Sequence, residues 1–230
     1  AFPGTGLDED LDAEAFELSH TVRGHCHSML GGLDLAWYPD GADCRCGLTH
    51  GAHHARSTGA GAATTLAFAP FNLWPLALVG TGLLFRLWLQ QGRAGFRLGL
   101  LYGLGLMGTG VIWLHVSIAQ FGDVGWLFPI LVTAVFVLIM ALYYGLAGWL
   151  VGRFTSSDRL KLIALFPAVW VLIEWLRGWL FSGFPWLQLG YAMIDTPLAG
   201  YAPVLGNLGV SFALVLSSGL VLLLFESGRV

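Results

Sequence analysis

Charge is what this chain has least of. Only 11% of its 230 residues are charged, against roughly 25% in a typical soluble domain. Lysine occurs once, at Lys161. A water-soluble globule already leaves roughly 55–60% of its surface apolar. With so few charges, too little polar surface remains to keep such a globule dissolved. The net charge is −3 and no basic stripe is present, so nucleic acid would find no electrostatic footprint. Cysteine is scarce as well, with three residues, all within the first 46 positions; that excludes a disulfide scaffold. An apolar fraction of 56% excludes disorder and collagen-like repeats. What the chain does have is grease, at a mean hydropathy of +0.71. An integral membrane protein is the class that remains.

The polar residues are unevenly placed. Positions 1–56 hold nine of the 14 acidic residues, six of the seven histidines and all three cysteines. They read as a polar leader without hydrophobic periodicity over about 20–60, disordered or joined to the wrong reading frame. Positions 57–225 read as the membrane domain and 226–230 as a short, truncated tail. A helix needs about 20 apolar residues to cross the hydrocarbon core. The apolar runs predict spans at 71–89, 98–121, 126–151, 162–183 and 198–225. A run at 58–69 is too short to span unless the segment before it contributes. The expected fold is all-α: a polytopic transmembrane helix bundle of five full spans plus a short first-helix remnant. The last run is longer than a crossing needs, so it tilts or begins with a non-spanning stretch.

Basic residues mark the cytoplasmic side of a membrane protein. The gap at 90–97 follows Arg86 and carries Arg93 and Arg97; the gap at 152–161 carries Arg153, Arg159 and Lys161. The gaps at 122–123 and 184–197 carry neither Lys nor Arg. That alternation predicts that 122–123 and 184–197 face outward. Trp74, Trp113, Trp126, Trp149, Trp179 and Trp186 fall near the predicted boundaries, where indole rings prefer to sit. Glycines at 99, 103, 105, 108 and 110 predict close helix packing.

Few residues here are capable of chemistry. Glu174 and Arg177 are three apart, hence on one helix face, and a lone charge in hydrocarbon costs roughly 2.5–3.5 kcal/mol on insertion scales. They read either as a structural ion pair or as contacts to a headgroup or substrate. The stretch Ser182-Gly-Phe-Pro-Trp-Leu-Gln-Leu-Gly-Tyr191 is too apolar for a watery loop, yet Pro185 breaks a helix. It reads as an interfacial or re-entrant segment lining a cavity, or as a plain structural turn. Trp186 and Tyr191 would lie at headgroup depth, and Gln188 needs a partner. His115 reads as hydrogen-bonded packing. The leader's His25, Cys26, His27, Cys44, Cys46, His50, His53 and His54 match no familiar zinc spacing, so no metal or cofactor is expected. No phosphate-cradling glycine loop and no legible Ser/His/Asp set is present.

Four stretches are more specific: Leu66-Ala-Phe-Ala-Pro-Phe-Asn-Leu-Trp-Pro75; Gly105-Leu-Met-Gly-Thr-Gly-Val-Ile-Trp-Leu-His-Val-Ser-Ile-Ala119; Glu174-Trp-Leu-Arg-Gly-Trp-Leu-Phe-Ser-Gly-Phe-Pro-Trp-Leu-Gln-Leu-Gly-Tyr191; and Ile194-Asp-Thr-Pro-Leu-Ala-Gly-Tyr-Ala-Pro203. Through them, residues 62–225 resemble the membrane part of apolipoprotein N-acyltransferase. The resemblance implies a bacterial inner-membrane, multi-pass enzyme of lipoprotein maturation. It implies a phospholipid acyl donor and a diacylglyceryl apolipoprotein acceptor, joined through a thioester on the cysteine of a nitrilase-like domain with a Glu, Lys, Cys set. It implies a self-contained monomer in the lipid bilayer. No catalytic residue of that set maps onto this chain, which by itself is expected to be inactive. Arg177, Trp186, Gln188, Tyr191 and Glu174 are the residues expected at the lipid or substrate. The alternatives from other classes are a small transporter or channel, and a non-enzymatic membrane scaffold.

Overall fold

The computed structural model describes residues 45–91, 94–122, 125–154, 157–180 and 183–227. The chain divides into two units, Ala1–Ala52 and His53–Val230, and all contacts below lie within the second. The leader's residues 1–44, Cys26 and Cys44 among them, and Arg93, Asp123 and Ser182 lie outside the described residues.

The described residues are all helical or irregular. The elements are α1 (Arg45–Thr65), α2 (Pro75–Gln90), α3 (Gly95–Gly110), α4 (Leu114–Gly122), α5 (Leu127–Arg153), α6 (Phe166–Trp179) and α7 (Ala202–Ser227). A π-helical turn, Lys161–Leu165, leads into α6, and two 3-10 turns, Leu189–Met193 and Pro197–Tyr201, join α6 to α7.

Five full spans are not what the chain builds. Among the described residues, two helical stretches are long and apolar enough to cross a membrane, Leu127–Arg153 and Pro197–Phe225, with 27 and 29 residues. A third crossing exists only if α3 and α4 are counted as one span bent by 51°. The reasons are local. The expected span at 71–89 loses its start to a turn in which Ala69–Pro70 is cis and Asn72 has φ 53°. Pro75 then opens α2, whose 16 residues reach about 24 Å, less than the roughly 30 Å of hydrocarbon. The run at 98–121 breaks at Val111–Trp113. The run at 162–183 begins π-helical and ends when Leu180 turns extended, leaving α6 only 14 residues. Apolar content carried across these breaks; helical continuity did not.

Packing centres on α3. A Cβ on Gly99 would collide with the carbonyl of Tyr144 in α5, so only glycine lets these two backbones approach so closely. On its other side α3 is tied to α1: Ser57 Oγ donates to the Leu98 carbonyl at 2.7 Å, and the Thr64 and Tyr102 hydroxyls share a 2.9 Å hydrogen bond. Thr81 of α2 and Ser218 of α7 are joined likewise at 2.8 Å. Phe85, Trp88, Phe166 and Trp170 pack into one aromatic cluster, with ring centroids 4.7–6.2 Å apart in the contacting pairs. Away from this core, α5 exposes Phe128, Leu131, Val135 and Leu138, an apolar face suited to lipid.

Candidate functional site

The corner between α6 and α7 begins where α6 stops. Leu180 is extended, Gly183 has φ 76°, and the Phe184 amide donates back to the Arg177 carbonyl at 2.7 Å. Pro185 then prevents resumption of the helix, and Leu187 takes φ 55° before the 3-10 turn Leu189–Met193 begins.

This corner is pinned from beneath. Glu174 Oε1 accepts from the Leu189 amide at 2.9 Å and from Trp170 Nε1 at 3.0 Å. Gln188 Nε2 donates to the Glu174 carbonyl at 3.3 Å, and Gln188 Oε1 accepts from Asn207 Nδ2 at 2.7 Å. The Gly190 amide donates to Ser211 Oγ at 2.8 Å. Glu174 and Arg177 are each 1% exposed. Arg177 Nη1 lies 3.8 Å from Met107 Sδ, and its Cζ stands 5.7 Å from the centre of the Tyr144 ring. That ring face is a reasonable environment for a guanidinium taken from water. Among the described residues, Glu174 and Arg177 close no ion pair within 4.0 Å. Glu174 Oε2, Arg177 Nε, Arg177 Nη2 and the Tyr144 hydroxyl have no protein partner.

Above these buried groups lies a cavity of about 550 Å³. Pro185, Trp186, Leu187 and Tyr191 of the corner line it together with Thr65, Phe68, Gly110 and Trp113. Trp113 and Trp186 face each other with ring centroids 5.9 Å apart. Trp186 and Tyr191 are both about half exposed, at 52% and 51%. The five residues singled out in the sequence therefore divide in two. Trp186 and Tyr191 line the cavity; Glu174, Arg177 and Gln188 sit behind its wall. A second cavity, of about 410 Å³, lies between the α3–α4 break and α5, where His115 and Thr133 are its polar residues. His115 Nδ1 is hydrogen-bonded to the Ile112 carbonyl. Among the described residues, no group of three or more His, Cys, Asp or Glu could hold a metal ion.

Four participants escaped sequence reading: Trp113, Tyr144, Asn207 and Ser211. The last two carried a faint signal, as polar side chains in a mostly apolar helix. Trp113 was legible only as a boundary tryptophan, and nothing in the sequence paired it with Trp186.

Residues 60–220, which contain the whole of this corner, match the family model described as the N-terminal domain of apolipoprotein N-acyltransferase. The chain belongs to the apolipoprotein N-acyltransferase family. It is 46% identical over 164 residues to the apolipoprotein N-acyltransferase of Photobacterium profundum, covering 70% of this chain and 31% of that one. The apolipoprotein N-acyltransferase of Methylococcus capsulatus is 46% identical over 168 residues, covering 71% and 33%. That of Coxiella burnetii is 41% identical over 173 residues, covering 74% and 36%. The match thus spans about a third of the length of these curated relatives. The apolar helices and the family together describe a bilayer-embedded, multi-pass protein.

Proposed function

We propose that this chain is the membrane part of an N-acyltransferase, admitting an acyl-donor phospholipid and a lipid-modified apolipoprotein to the catalyst. In that reaction an acyl chain passes from the phospholipid to the amino group of an N-terminal diacylglyceryl-cysteine. The observation that carries the reading is the 550 Å³ cavity, walled by the Pro185–Tyr191 corner. Its size and its mostly apolar walls with a few polar tips are those of a small-molecule site. Acyl chains belong in such a place, because each CH₂ exposed to water costs about 0.8 kcal/mol. Trp186 offers an indole N–H and Tyr191 a hydroxyl at the rim, where a headgroup ester or amine would lie. Glu174, Gln188 and Arg177 act from behind, by holding the corner that bears them.

The proposed orientation puts the corner on the outer face. Arg97, Arg153, Arg159 and Lys161 would then lie on the cytoplasmic side, in accord with the preference of basic residues.

The test is photocrosslinking. The full chain in nanodiscs is irradiated with a phosphatidylethanolamine bearing a diazirine near its ester groups, and the labelled peptides are mapped. Label is expected on 184–194 and around Trp113, and Trp186→Ala should reduce it severalfold. Label spread evenly along the exposed face of α5, unaffected by Trp186→Ala, would overturn the reading.

A further inference from the structure

Three backbone peculiarities meet at one hydrogen bond. Leu187 has φ 55°, in the left-handed region where a residue with a Cβ stays only if its surroundings hold it there. Gly190 lies so close to α7 that a Cβ built on it would collide with Asn207 Oδ1. Gly206 has φ 66° and ψ −175°, a conformation essentially reserved for glycine, and it breaks α7 so that a fresh helical run starts at Asn207. Between them, Asn207 Nδ2 donates to Gln188 Oε1 at 2.7 Å. Gln188 is 6% exposed and its own amide nitrogen is engaged with the Glu174 carbonyl, so its oxygen has one direction to face. One helical turn beyond Asn207, the fully buried Ser211 accepts the Gly190 amide. Residues on either side of Leu189 are thereby tied to α7, while Leu189 itself is tied to Glu174 on α6.

We propose that Asn207 and Ser211 are positioning residues. They latch the corner onto α7, hold Leu187 in its left-handed conformation, and so set where Trp186 packs against Trp113 at the cavity. The inference rests on the reading of that cavity as a phospholipid site. Neither residue lines the cavity; each acts through its neighbour, Asn207 through Gln188 and Ser211 through Gly190. Removing the Asn207 amide leaves the buried Gln188 oxygen without its donor, which is the expensive way to lose a hydrogen bond. The strained Leu187 then loses one of its restraints, and the Trp186 wall moves.

The experiment uses the full chain in nanodiscs, labelled with 5-fluorotryptophan. The Trp186 and Trp113 signals are assigned through Trp186→Phe and Trp113→Phe. Asn207→Leu, which keeps the branched outline but removes the donor, is expected to shift both signals, and Ser211→Ala to shift them in the same direction by less. Ser218→Ala removes the hydrogen bond to Thr81 from the same helix and is expected to leave both in place. Titrated with dioctanoyl phosphatidylethanolamine, Asn207→Leu should show a Kd raised about fivefold or more, and Ser218→Ala an unchanged one. Unmoved Trp186 and Trp113 signals in Asn207→Leu overturn the latch. Moved signals with an unchanged Kd overturn its control of the cavity. Moved signals in a protein whose wild type binds no lipid uphold the latch and overturn the phospholipid reading instead. If Asn207→Leu does not fold, Asn207→Ser and Ser211→Ala carry the same comparison.

Discussion

Glu174 accepts two hydrogen bonds on one oxygen. Oε1 accepts from the Leu189 amide and from Trp170 Nε1, two buried donors. Glu174→Ala orphans both buried donors; the expected cost is about 3 kcal/mol or more. Glu174→Gln keeps an acceptor oxygen in that place, so it should cost about half as much. Thermal unfolding in a mild detergent checks the order, and equal losses in the two variants would show that the acceptor role is not what matters. Arg177 makes the complementary point. Its proximity to Glu174 on the helix face was legible from a spacing of three, but not the absence of an ion pair between them. Its side chain turns instead toward Met107 and Tyr144, which approach it from α3 and α5. No one-dimensional pattern carries that information.

At the scale of elements, the small residues of α3 are of unequal weight. Gly99 meets the Tyr144 carbonyl at a distance that no side chain tolerates, whereas a Cβ on Gly108 would find only Val137 Cγ1, at 3.9 Å. Gly99→Ala is therefore expected to part α3 from α5 and to destabilise by about 1–3 kcal/mol. Gly108→Ala should be neutral or stabilising, by up to roughly 0.5–1 kcal/mol from helix propensity. The two midpoints, measured side by side in the same detergent, check the contrast. Glycine frequency predicted close packing along the whole stretch; which glycine does the packing depends on where α5 lies. The expected spans failed for a related reason. Hydropathy registers the composition of a window and is blind to Pro75, to the break at Val111–Trp113 and to the extended Leu180, each of which bounds a helix without making the sequence more polar.

For the whole molecule, the testable matter is direction. The corner and the Arg159–Lys161 turn are expected on opposite faces of the bilayer. In a cysteine-free background, an impermeant maleimide applied from outside should label Asp195→Cys and spare Arg159→Cys. The reverse labelling would invert the orientation and carry the outward-facing cavity with it. The site's apolar character makes a second expectation at this scale. Because the corner is held by hydrogen bonds and packing and exposes Trp186, Tyr191 and Ile194, raising the salt concentration from about 0.05 to 1 M should leave phospholipid affinity within about twofold, since screening acts on exposed charges. Phospholipid titration at the two ionic strengths checks this.

The sequence by itself determined the solvent of this protein, its helical class and its family. Those properties follow from composition and from contiguous runs such as 174–191, and both survive without any knowledge of what lies opposite. Only the tertiary structure decided how many helices remain whole, that Trp186 meets Trp113, and that Asn207, nineteen positions downstream, holds Gln188. A crossing requires a long run of helix, and a cavity requires residues from several segments. Both are relations between distant segments, set by how closely backbones approach, and such relations leave little trace along a single chain.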